Sequence, residues 1–337
     1  IFKNNYIDSD SSYGGAVYLY SGTLDASHCV FENNYVHGYY AYGGAIYTGG
    51  TIDASHGIFE NNYTNGEYAN GGALYLTSSD CNGSDCVFKN NYSNGYDSAG
   101  GAVCALYSDY NSNDSVFENN YVSGNYSEGG AIYINSPPEP IVFARTLFSG
   151  NSAIDFGGAV YIYSYYPSQG YNLIFYNNSA YQGGAIYTEY YAFESYNCDF
   201  VSNTAQNGGG AIYSGPYGYS YYNYKTVNSI YSGNSTVSGG SHHIYDGSGS
   251  GIDSYSCYFA PASGGLVGIV KGTGTISVDP EFRSTDPTNS YFLHLNNGSP
   301  CIDTGDPTFY GYYSDPDYEG NTRVVDGDID MGAIEYQ

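Results

Sequence analysis

At 337 residues the chain could form one large domain or two ordinary ones, and its 33 acidic against 7 basic side chains leave a net charge of −26. That excess argues against nucleic acid or an anionic membrane surface as partner, since both need basic patches, and it makes divalent cations the natural counterions. Gly (47) and Tyr (46) dominate while aromatic and β-branched residues recur at fixed positions, which excludes disorder and fits a surface or structural protein better than a typical cytosolic enzyme.

The chain opens on "IFKNNY", already a copy of a repeated unit, so the expectation is a mature or clipped product without its targeting segment. No stretch approaches the roughly 20 apolar residues of a membrane span, so direct membrane insertion is not expected. Two motifs then alternate. Gly-Gly-Ala stands at 14–16, 43–45, 71–73, 100–102, 129–131, 157–159, 183–185 and 209–211, and fades at Gly239. Between these copies come Phe2, Phe31, Phe59, Phe88, Phe117, Phe148, Phe175 and Phe200, then Tyr231, each with an Asn three residues later. The spacing is 28 or 29 residues at first and drifts between 25 and 31 later, and a fixed period of this length means a solenoid or an array.

Each unit holds short runs such as "AIYI" and "CVF", rich in β-branched and aromatic residues and bounded by Gly, Asn and Ser, which are strand signals. The predicted fold is all-β: a right-handed single-stranded parallel β-helix of about nine to ten rungs over residues 1–275, closed by a C-terminal capping segment over 276–337. Rungs stacked about 4.8 Å apart make a rod of roughly 45–50 Å. Gly-Gly lets the backbone turn tightly beside the neighbouring rung. The column Val17, Ile46, Leu74, Val103, Ile132, Val160, Ile186 and Ile212 fills the interior with the Phe column, and the Asn column forms an amide ladder. Alternation points Tyr18, Tyr47, Tyr75, Tyr133, Tyr161, Tyr187 and Tyr213 outward as an aromatic assembly surface. Tyr6, Tyr35, Tyr63, Tyr92 and Tyr121 form a second aromatic column. Outward too are the residues before each Phe, namely Val30, Ile58, Val87, Val116, Leu147 and Ile174, an apolar stripe that needs a cover.

The GGA[I/V/L] and FxxN pattern over about residues 1–240 resembles the repeats of the chlamydial polymorphic outer-membrane proteins and similar surface β-helices. Near the end, "VDPEF", "LHLNNGSPCIDTGD" and "GNTRVVDGDIDMGAIEY" resemble the C-terminal segment of secreted and surface β-helix proteins of the choice-of-anchor Q type. The resemblances imply a β-helix, export and a closing cap.

Candidate chemistry is sparse. Pectin-lyase-like β-helices need a basic residue and substrate-neutralising cations, or paired carboxylates in a groove. The repeats offer only Lys3, Lys89, Arg145 and Lys225, far apart, so no catalytic residue is assigned and the chain is read as no enzyme. Asp25 and His28 in "LDASH" recur one rung later as Asp53 and His56, a candidate transition-metal cluster. Asp326, Asp328 and Asp330 alternate as candidate Ca²⁺ ligands. No cofactor beyond Ca²⁺ or Mg²⁺ is expected. Cys81 and Cys86 flank a tight loop and are expected to bond to each other in an oxidising compartment; with seven cysteines at least one is left over. Asn82, Asn113, Asn125, Asn177 and Asn297 are glycosylation candidates, whereas Asn62, Asn91 and Asn234 match the sequon but belong to the inward ladder.

The expected function is a structural, self-assembling extracellular protein of a prokaryotic cell envelope, such as a sheath, surface-layer or fibre subunit. Its expected partner is itself, head to tail through the first rung's open edge and laterally through the outward columns. The alternatives are a surface adhesin binding glycans and, more remotely, a pectin-lyase-like polysaccharide-degrading enzyme.

Overall fold

Strands of two to five residues wind through three parallel ten-stranded sheets in the computed structural model, which describes residues 1–215, 224–239, 243–247, 249, 251–259, 265–306, 316–325 and 327–337. The first sheet runs from Phe2–Lys3 to Cys257–Phe259 and carries the Phe column. The second runs from Val17–Leu19 to Leu266–Val267 and carries the strands after Gly-Gly-Ala. The third runs from Thr23–Asp25 to Ile269–Lys271. Every strand pair in these sheets joins one rung to the next in parallel, as Phe59↔Phe88 and Leu74↔Val103 illustrate. No helix occurs among the described residues, and the expected parallel β-helix is the fold.

The interior follows the columns. Phe31, Phe59, Phe88, Phe117, Phe148, Phe175 and Phe200 are fully buried, with successive rings stacked at 4.7–5.0 Å, and Tyr231 and Tyr258 continue the stack. Ring separation equals rung separation because in-register parallel strands place like on like. Facing them are the fully buried Ile46, Leu74, Val103, Ile132, Val160, Ile186 and Ile212.

Two corners fix the path of each rung. At Gly100-Gly101 the first glycine sits at φ +65°, where a side chain is strained, and a Cβ on the second would collide with the carbonyl oxygens of Gly130 and Tyr121. At the other corner the paired asparagines divide the work. Asn4, Asn33, Asn61, Asn90 and Asn119 take φ between 54° and 58°, which Asn tolerates better than most residues. The Asn that follows each one turns inward and joins the ladder.

The described residues between 276 and 337 form bridges and turns instead of further ten-stranded layers. They lie against the outer side of the Phe sheet over its later rungs. Leu293, Ala333 and Ile334 pack on Ile174 and Val201, while Leu295, Cys301 and Met331 pack on Ile230 and Cys257. Polar contacts fasten them: Gly332 N–H donates to the Asn228 carbonyl at 2.7 Å, Ala333 N–H to Asp199 Oδ2 at 3.2 Å, and Asn172 Nδ2 to the Pro316 carbonyl at 2.9 Å. Asp199 itself is buried, and burial raises its carboxyl to about 7 against the Ala333 N–H and nearby Arg323.

Candidate functional site

The apolar stripe outside the Phe sheet is divided by that C-terminal segment. Ile174 is fully buried under it and Leu147 packs at its margin. On the earlier rungs Val30, Val87 and Val116 stay half-buried and Ile58 is 40% exposed, so the stripe is bare there. Charged residues border it on one side, with Lys3 Nζ 2.8 Å from Glu32 Oε1 and Lys89 Nζ 2.9 Å from Glu118 Oε2. Beyond the Asn corner, Tyr6, Tyr35, Tyr63, Tyr92 and Tyr121 stack at 4.7–5.1 Å with nearly parallel planes. Tyr6 is 62% exposed and Tyr121 is 38% exposed. The first five rungs therefore present one aliphatic and one aromatic stripe on adjoining faces.

The other tyrosine column corrects the sequence reading. Tyr18 is exposed and Tyr47 and Tyr133 are half-buried, but Tyr75, Tyr161, Tyr187 and Tyr213 are 4–9% exposed and do not form an open contact surface. The Gly-Gly corner causes this. It is re-entrant, so residues just before it face the strand just after it: Tyr42 lies 4.8 Å from Tyr75, and Phe156 lies 4.7 Å from Tyr187. The column is a satellite core outside the solenoid. Its groove is acidic. Burial and the neighbouring carboxylates of Glu189, Asp97 and Asp155 push Glu128 up to about 8.

Of the candidate metal ligands, His28 and His56 do meet, with rings stacked at 4.5 Å. Asp25 and Asp53 instead accept from their own turns, Asp25 from Ser27 Oγ at 2.6 Å and Ser27 N–H at 3.0 Å and Asp53 from Ser55 N–H at 3.1 Å. The serine side chains first, then these backbone bonds, hold both carboxyls below the usual range. Asp326 lies outside the described residues. Asp328 is exposed, whereas Asp330 is buried and accepts from the backbone N–H groups of Asp303 at 2.8 Å and Tyr336 at 2.6 Å. Among the described residues no three His, Cys, Asp or Glu side chains are grouped to hold a metal ion.

The expected Cys81–Cys86 bond is not formed; both are free thiols. Cys81 occupies a core position in register with Ile52 and Tyr110. Cys86 belongs to a column of small polar residues, and its thiol donates to the Ala54 carbonyl at 3.0 Å just as Ser115 Oγ one rung on donates to the Gly83 carbonyl at 3.1 Å. Each sulfur thus serves its own column. Of the glycosylation candidates, Asn82, Asn125, Asn177 and Asn297 are exposed and Asn113 is half-buried, while Asn62, Asn91 and Asn234 are buried in the ladder.

The paired asparagines carried a signal that the column analysis missed, because the first of each pair marks a left-handed corner and leaves the second to point inward. No helix among the described residues is long and apolar enough to cross a membrane. No curated protein and no solved structure matches the chain. The Chlamydia polymorphic membrane protein repeat does match, at residues 28–49, 114–135, 145–163, 172–189 and 197–215, so these rungs are similar to that repeat and the remainder rests on the geometry above.

Proposed function

We propose that this protein is a non-enzymatic structural rod of a prokaryotic cell surface that associates laterally with copies of itself, as in a sheath, surface layer or fibre. The observation that carries the reading is the half-covered stripe outside the Phe sheet. The chain covers it itself from Leu147 onward yet leaves Val30, Ile58, Val87 and Val116 open on the same sheet. An apolar stripe of this kind, rimmed by charged residues, marks a protein contact. The similarity of several rungs to a membrane-protein repeat supports a surface location, and the resemblance of the last segment to choice-of-anchor Q proteins supports export. With −26 charges per subunit, association draws on Ca²⁺ or Mg²⁺ at exposed carboxylates to damp repulsion.

Sedimentation and negative-stain microscopy of the native protein, with and without chelator, test this. Polymers that shorten or dissociate on chelation are expected, and an Ile58→Asp variant should fold normally but remain monomeric. A wild-type monomer under both conditions defeats the proposal. The half-exposed ladder from Tyr6 to Tyr121 favours a second reading, an adhesin that stacks sugar rings. A monomer that binds glycans and loses that binding on Tyr63→Ala would support it instead.

A further inference from the structure

Cys257 and Cys301 come from segments far apart in sequence and meet beneath the C-terminal cover. Cys257 begins the last strand of the Phe sheet, Cys257–Phe259, in the outward column next to Ile230. Cys301 lies in the segment that covers this column, and both are fully buried in one cluster with Leu295 and Met331. Both are free thiols in this structure, with Cys257 Sγ donating to the Val278 carbonyl at 3.3 Å, and the neighbouring Cys257 thiol together with burial holds the Cys301 thiol well above its ordinary range. The backbone around each is tied down: Cys257 N–H donates to the Ser229 carbonyl at 2.9 Å, and Met331 N–H to the Cys301 carbonyl at 3.0 Å. We infer that Cys257 and Cys301 form a disulfide that clasps the C-terminal segment onto the last rung when the protein matures in an oxidising compartment.

The other five cysteines belong to other clusters. Cys86 and Cys198 donate to backbone carbonyls in inner turns, Cys81 fills the core, Cys104 is packed by tyrosines, and Cys29 is only partly buried. Each of the five lies on an earlier rung than Cys257. The proposed pair is set apart by two thiols fully buried in one cluster, on two segments that already pack against each other.

The oxidant is a disulfide-bearing thiol oxidoreductase or a small-molecule disulfide. The Cys257 thiolate attacks one oxidant sulfur, forming a mixed disulfide and expelling the other as a thiolate. The Cys301 thiolate then attacks Cys257 Sγ and expels the second oxidant sulfur. Two electrons pass from the cysteine pair to the oxidant, and the two thiol protons end on the oxidant's two sulfurs. Because both sulfurs are closed to solvent, the exchange precedes final docking of the segment or follows its transient opening.

The test uses the full chain, refolded in a buffer of reduced and oxidised glutathione, with a protease site inserted in the exposed turn from Asp286 to Asn289. After cleavage the protein is denatured, alkylated without reductant and run on a non-reducing gel. The two fragments should stay joined, separate on adding reductant, and separate without it in Cys301→Ser. Mass spectrometry should find a peptide linking Cys257 to Cys301 and alkylation at the other five cysteines. Because Cys301 is the only cysteine after the cut, Cys81–Cys86 pairing cannot imitate this result. Fragments that separate without reductant, or Cys301 linked to any other residue, would overturn the inference. A matched Cys257→Ser variant guards against misfolding: near-native circular dichroism with lost linkage is expected.

Discussion

Asn91 Nδ2 donates to Asn120 Oδ1 at 3.0 Å, one step of a ladder that runs from Asn5 to Asn234. The same Nδ2 donates back to the Phe59 carbonyl at 2.8 Å, and Asn91 Oδ1 accepts from both the backbone N–H and the Nδ2 of Asn62 at 3.0 Å. All four bonds an amide can make are used, in a place water does not reach. Asn91→Ala should therefore strand several buried groups at about 1–3 kcal/mol each, for a loss of about 3–5 kcal/mol. Exposed Asn94, whose Nδ2 donates to half-buried Asn65 Oδ1 at 3.1 Å, should lose under about 0.5 kcal/mol as Ala. Urea unfolding of the two variants makes the comparison.

Glycine substitutions should divide by corner. Gly101→Ala drives a methyl group into two backbone oxygens of the next rung and should cost about 3 kcal/mol or more. Gly233 stands in the column that elsewhere holds Asn33, Asn61 and Asn90, at φ +65°, with only Ser202 near a new Cβ, at 3.6 Å. Gly233→Asn should leave stability within about 0.5 kcal/mol of the parent. Thermal unfolding distinguishes them, and equal damage at both sites would refute the assignment of the two corners.

Three aromatic truncations rank the columns. Phe88→Ala opens a cavity in the ring stack and should cost about 3–5 kcal/mol. Tyr75→Ala should cost about 2–4 kcal/mol, because Tyr75 is 8% exposed beneath Tyr42. Tyr6→Ala, at 62% exposure, should cost under about 1 kcal/mol. Chemical denaturation gives the order, and a Tyr75 result equal to that of Tyr6 would dissolve the satellite core.

The sequence made the interior legible because parallel in-register stacking repeats one residue's environment at each rung, so Phe and Asn recur wherever the core demands them. The outside was harder to read. Alternation says that Tyr75 leaves the core, but not that a re-entrant glycine corner brings Tyr42 over it. The place of the C-terminal segment was written in a column passed over. The residue after each Phe is Lys3, Glu32, Glu60, Lys89 and Glu118 where the sheet is open, then Ser149, Tyr176, Val201 and Ser232 where it is covered. Loss of charge at that position marks the covered rungs. Two cysteines five residues apart looked like partners because proximity in sequence was the only distance available. Cys257 and Cys301 are neighbours only after the chain has returned along its own flank.

Glu128 makes the acidic groove testable by pH. Its carboxyl lies half-buried beside the tyrosine column, and burial with the nearby Glu189, Asp97 and Asp155 raises it to about 8, above its ordinary unfolded range near 4.5. Between those values the folded protein keeps a proton that the unfolded chain has released, so the folded state binds more protons. Stability from this group is accordingly complete below about pH 4.5 and is lost as pH rises through about 8. Glu128→Gln keeps the shape and removes the charge. The variant should match the parent at about pH 4, exceed it at about pH 8, and show a shallower fall between them. Glu189, also raised by burial in the same groove, should preserve part of the slope. Melting temperatures taken across that range decide the matter, and a variant that is less stable than the parent at the alkaline end would mean that Glu128 meets a cation there instead of other carboxylates.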